Sequence, residues 1–130
     1  MLPSAPAFHY RHLTNRISRS CVHRNKVMCM IVLTVCYESG IALDDAYYYG
    51  THMPMVEKLR PHGLRSSEAR KILGTPMGNA APYQLITSLY FDDAAALATA
   101  MGSEVGRKLA ADVPNFYQGE PDFMIGEVPA

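Results

Sequence analysis

Eight consecutive residues, Met30 to Tyr37 (MIVLTVCY), constrain this chain more than any other segment. Apolar side chains fill both alternating positions, the mark of a central strand covered on both faces. Such a strand needs neighbours beside it and a layer above and below. A chain of 130 residues has room for one core of that kind. Hydrophobic residues make up 48% of it, enough for a packed globule rather than disorder.

The elements around that strand follow from local signals. Glu38-Ser39-Gly40 ends it. Asp44 and Asp45 open a helix, where an acid caps free N–H groups and meets the positive dipole end. The helix is expected to run to about Arg60 and to stop at Pro61-His62-Gly63. Leu64 to Leu73 suits a helix by composition, but its length and its place between two stop signals suit a polar edge strand. Residues 74–82, GTPMGNAAP, form a turn-rich loop; they lack the glycine spacing and Lys-Ser/Thr ending of a phosphate loop. Tyr83 to Phe91 is a strand whose odd and even positions form two distinct faces. Asp92 and Asp93 open an alanine-rich helix to Met101; Gly102-Ser103 interrupts it, and Glu104 to Ala111 continues helically. Asp112 to Phe116 reads as a loop, and Asp122 to Val128 as the last strand.

The resulting order, β-α-β-β-α-β, predicts an α+β, ferredoxin-like antiparallel sheet with the helices on one face. The other face has no helices left to cover it. A second copy is the simplest cover, so a symmetric homodimer with sheets face to face is expected, a dimeric α+β barrel.

Charge divides the chain. Residues 1–27 hold five basic residues, three histidines and no acid; the rest holds seven basic and all twelve acidic residues. Residues 28–130 are therefore expected to be the domain, and 1–27 a disordered leader. The leader reads either as an organelle transit peptide or as upstream sequence behind a start codon placed too early, which Met28 and Met30 at the head of the first strand favour. A formal net charge of zero gives no reason to expect nucleic acid. No apolar run approaches the roughly 18 residues of a membrane span. Three cysteines without a CxxC pair, two of them (Cys29 and Cys36) on opposite faces of one strand, read as reduced thiols of a cytoplasmic protein.

The first helix carries the chemistry. At helical spacing Tyr48, His52, Met55, Val56 and Leu59 share one side, which must face the sheet. His52 is thus aimed into an enclosed apolar space, with Tyr48 one turn before it. Pro54 follows Gly50 by four residues, so it cannot bond the Gly50 carbonyl and the helix should kink beside His52. A histidine on an apolar face is often only a satisfied core residue; Asp112 and Asn115 can equally be local backbone binders.

Three segments carry a resemblance: YYGTHMPMV, APYQLITSLYF followed by Asp92, and DVPNF. They resemble the EthD family of the dimeric α+β barrel superfamily, over about residues 30–128. The matching positions are Tyr48, His52, Pro54, Tyr83, Phe91, Asp112, Asn115 and Phe116. The resemblance implies a small dimeric protein from a family named for a gene cluster that degrades ethyl tert-butyl ether. Some fungal relatives look like cofactor-free dehydratases or decarboxylases of aromatic polyketides; neighbouring barrel families include monooxygenases, lactone isomerases and haem-binding proteins.

Three readings follow. In the first, a cofactor-free enzyme acts on a small apolar or aromatic compound, with His52 as general acid or base. Tyr48 orients it or meets a developing oxyanion, and Met55, Tyr90, Asp112, Asn115 and Phe116 contact the ligand. In the second, the same pocket serves a non-catalytic binding or accessory protein. In the third, His52 holds haem. No metal site is expected: after Met28 the histidines are His52 and His62 alone, ten apart and without an acidic cluster.

Overall fold

The computed structural model describes residues 30–129, so the basic leader and Cys29 lie outside the described residues. The sheet has four antiparallel strands: β1 (Met30–Glu38), β2 (Leu64–Lys71), β3 (Tyr83–Phe91) and β4 (Asp122–Val128). They lie in the order β2-β3-β1-β4, the ferredoxin-like arrangement. The doubly apolar β1 is indeed internal, and the polar 64–73 segment is an edge strand.

Register fixes the faces. Leu33 opposes Leu89 on one side and Ile125 on the other; Val35 opposes Thr87 and Phe123. Ile31, Leu33, Val35 and Tyr37 of β1, with Leu85, Thr87, Leu89 and Phe91 of β3, form the buried face under the helices. Val32, Thr34, Ile86, Ser88 and Tyr90 alternate onto the helix-free face. Met124 and Val128 share that face and are exposed.

Three helical segments cover the buried face. The first, α1, spans residues 45–62. The others are α2 (Ala94–Gly102) and α3 (Glu104–Asp112), with a 3-10 turn over Val113–Asn115. The carboxylates of Asp44 and Asp93 accept from the N–H groups of Tyr47 and Ala96, so the aspartates start these helices as expected. Gly63, with φ +117°, ends α1 in the left-handed conformation.

Two expectations need correction. The sequence suggests one kinked α-helix from Asp44 to Arg60, but α1 is a composite. It runs α over Asp45–Tyr47, π over Tyr48–His52, α over Met53–Val56 and 3-10 over Glu57–His62. The π turn, closed by the Met53 N–H on the Tyr48 carbonyl, sits just ahead of Pro54. Pro54 has no N–H to give to the Gly50 carbonyl, and the hydrogen-bond pattern changes to a π turn just before it. Secondly, Asp112 does not begin a loop; it closes α3, one turn beyond the leucine that anchors that helix.

The α2–α3 junction is tight. Ser103 separates the helices, and its hydroxyl accepts from the Gly106 N–H while donating to the Ala100 carbonyl. A Cβ on Gly106 would collide with the Ala100 carbonyl oxygen and lie 2.8 Å from that of Met101.

Candidate functional site

The π turn presents its buried side chains, Tyr48 and His52, to the sheet. Their rings stack, with centroids 5.4 Å apart and planes 25° off parallel. Phe116 packs against both rings, 4.5 Å from the imidazole and 5.2 Å from Tyr48. His52 is thus one corner of a three-ring cluster drawn from segments far apart in sequence.

Its rotation is set by a third group. Nδ1 of His52 lies 2.9 Å from Oδ2 of Asp112, and both side chains are buried. The second carboxylate oxygen accepts from the Tyr47 hydroxyl at 2.6 Å and from the Asn115 amide at 3.0 Å. Asp112 therefore has three donors around it, and none is its own local backbone. Burial would raise its carboxyl, but the hydrogen bonds from Tyr47, Asn115 and His52 hold it below the usual carboxylate value. Burial likewise pushes the imidazole below its ordinary value, against the pull of Asp112 toward the protonated form. At neutral pH the pair is a neutral histidine donating from Nδ1 to a carboxylate. That leaves Nε2 with a lone pair, unbonded to any described residue.

Nε2 has somewhere to act. His52 borders a cavity of about 90 Å³ between the helices and the sheet. Leu33, Val35, Leu89, Val56, Leu59 and Leu109 supply apolar wall, Phe123 stands at its rim, and Tyr37 contributes a phenol. A buried carboxylate thus fixes one imidazole nitrogen of a histidine that borders an apolar cavity.

Both shifts have the same sign for stability. Each folded-state pKa lies below its unfolded value, so over that window the unfolded chain holds the extra protons and stability falls as pH falls. For His52 the loss begins near pH 6.5; for Asp112 it continues below the ordinary carboxylate range. Urea unfolding across pH 4–8 should show a declining midpoint below about pH 6.5. The ring resonance of His52 should titrate below that value.

The structure brings together His52, Asp112, Asn115 and Phe116 of the residues singled out from sequence. It places others elsewhere. The Tyr48 hydroxyl is not offered to His52 or the cavity: it is hydrogen-bonded to Thr87 Oγ1, and burial pushes it up to about 12. Tyr48 therefore supports His52 through its ring. Met55 is half-buried and is not among the cavity-lining residues. Tyr90 alternates onto the helix-free face, away from His52, because it is an even position of β3. Tyr37, Tyr47 and Thr87 were missed. Tyr37 alone had a signal, as the one hydroxyl-bearing residue on the inward face of an otherwise apolar strand.

The described residues contain no helix long and apolar enough to cross a membrane. Comparison with solved structures gives a consistent picture. An EthD family protein from Bacillus halodurans is 28% identical, with a TM-score of 0.63 over 76% of this chain and 97% of that one. An EthD-like protein from Ralstonia eutropha is 26% identical, with a TM-score of 0.65 over 75% and 89%. A dimeric ferredoxin-like protein from Thermobifida fusca shares the fold at 14% identity, with a TM-score of 0.52 over 83% and 96%. Comparison with curated proteins finds no match. The model of the EthD domain matches residues 43–120, a stretch that begins just before α1 and ends after Phe116, and so takes in the whole His52–Asp112 constellation. On that match the chain belongs to the EthD family.

Proposed function

We propose that this chain binds a small neutral compound in the cavity under the helices and moves a proton on it, with His52 Nε2 as general base. The observation that carries this reading is the 2.9 Å contact between His52 Nδ1 and a buried Asp112 carboxylate. It fixes the tautomer, holds the ring still and stabilises the imidazolium formed once the proton is taken. No cofactor is needed for such a step. The family's association with ether breakdown and polyketide tailoring directs the search toward neutral, oxygen-bearing carbon compounds, aromatic ones included. The cavity is well below the roughly 300–1,000 Å³ of pockets that enclose drug-sized ligands, which speaks against haem and for a small reacting group.

The protein acts as a homodimer in this reading, with the helix-free faces of two sheets together. Exposed Met124 and Val128, beside Val32 and Ile86, supply apolar surface for that contact. Native mass spectrometry reads the assembly and any retained small molecule at once.

A screen of such compounds by NMR, with His52→Ala as the control, tests the chemistry. Turnover in the variant should fall by about 10²–10⁴-fold while the thermal transition persists. Equal turnover in both proteins would sink the proposal. Ligand binding without turnover in the native protein would favour the accessory-protein reading instead.

A further inference from the structure

The inward face of β1 is apolar from Ile31 to Val35 and then ends in a phenol. Tyr37 is only 2% exposed. Its ring is held edge-on by Tyr48, Phe116 and Tyr117, at 5.8, 5.7 and 5.0 Å. Its hydroxyl has no hydrogen bond to any described residue, yet no buried polar side-chain atom of the described residues is sealed off without a partner. Those facts agree if the hydroxyl opens onto the cavity, whose wall Tyr37 forms.

Nε2 of His52 is in the same condition on the same cavity. Two unsatisfied polar atoms therefore border one small apolar space. One is a neutral O–H donor, since burial and the neighbouring tyrosines raise the phenol far above neutral pH. The other is a neutral nitrogen acceptor. Leaving either unpaired costs about 1–3 kcal/mol, so the space suits an occupant that accepts from one and donates to the other. No lining residue is cationic, and the Asp112 charge lies just behind His52, so the occupant is neutral. The cavity, at about 90 Å³, is below the ~150 Å³ that holds benzene, so it takes a small molecule or the reacting end of a larger one.

Building on the general-base reading of His52, we propose that Tyr37 is the second polar anchor of the site. The ligand is a small neutral carbonyl compound with a hydrogen on the carbon next to the carbonyl. His52 Nε2 takes that hydrogen as a proton. The C–H electron pair becomes the C=C bond of an enolate, and the carbonyl π pair moves onto oxygen, which accepts the Tyr37 O–H bond. Return of the proton from His52, to the same carbon or to another of the enolised system, closes the cycle. No oxidant, reductant or co-substrate enters.

The test is deuterium wash-in from D₂O at the hydrogens beside the carbonyl of acetone, 2-butanone and cyclopentanone, followed by proton NMR. The native protein should accelerate exchange over buffer, and His52→Ala should abolish the acceleration. Tyr37→Phe should slow it about 10²–10³-fold, the loss of one oxyanion donor. Because the Tyr37 hydroxyl has no protein partner, Tyr37→Phe should leave Tm unchanged or raised. Native-rate exchange in Tyr37→Phe, with His52→Ala inactive, would overturn the role of Tyr37 and leave His52 as the base. A marked fall in Tm would overturn it too, by showing that the hydroxyl is bonded within the protein. Absence of exchange with all three ketones in the native protein would overturn the carbonyl assignment, while the His52→Ala screen still judges the base.

Discussion

Asp112→Ala should lower activity and stability together. The carboxylate is 7% exposed and accepts from His52, Tyr47 and Asn115. Removing it leaves the buried Nδ1–H of His52 with no acceptor and frees the ring to turn against Tyr48 and Phe116. Losing a charge-assisted buried hydrogen bond and stranding its donor costs about 3 kcal/mol. For a domain of this size that is a fall in Tm of about 10–20 °C, measurable by calorimetry. Asp112→Asn separates the two effects. It keeps the shape but offers His52 a weaker acceptor and the choice of the wrong tautomer. It should therefore fold better than the alanine variant and still lose turnover on any substrate the screen identifies, by about 10²–10⁴-fold. Full activity in Asp112→Asn would remove Asp112 from the mechanism.

Gly106→Ala should also destabilise strongly, against the usual trend. In a helix this exchange ordinarily stabilises by about 1 kcal/mol. Here the added methyl meets the Ala100 and Met101 carbonyl oxygens, which belong to backbone and cannot swing aside. Relief requires α3 to move off α2, and Gly106 itself borders the cavity. A net loss of about 2–3 kcal/mol is expected from urea unfolding. Gly102→Ala is the internal control: nothing lies within 4 Å of a Cβ there, so it should be neutral or mildly stabilising. If both variants behave alike, the junction is looser than its geometry implies.

The architecture was legible because its signals are local and periodic. Alternation in Met30–Tyr37 and Tyr83–Phe91, aspartates at helix starts and the Pro61-His62-Gly63 stop each act within a few residues. Even the ambiguous 64–73 segment yielded once its neighbours were fixed, since an edge strand was what the order required. The inward stripe of α1, through Tyr48, His52, Val56 and Leu59, was legible for the same reason.

The site was only half legible, because its bonds are long-range. His52 meets Asp112 across 60 residues, Tyr47 meets Asp112 across 65, and Tyr48 meets Thr87 across 39. Spacing in the chain says nothing about such pairs. A general propensity of Asp and Asn to bind local backbone pointed Asp112 the wrong way, while its actual direction depends on α3 continuing one residue further. Tyr47 rather than Tyr48 turns its hydroxyl to the His52–Asp112 pair for a similar reason. Adjacent residues on a helix face differ by about a quarter turn, and the partner waiting there decides which hydroxyl matters.

The π turn over Tyr48–His52 has a last consequence, in the currency of chain length rather than side chains. A π turn holds one residue more than an α turn before its hydrogen bond closes. Taking one residue out of 49–51 converts it to an ordinary turn while Val56 and Leu59 keep their hold on the sheet. The helix would still dock, but His52 would no longer stand a turn above Tyr48 in line with Asp112. In the proposed reading, the length of this short stretch therefore matters to the site more than to the fold.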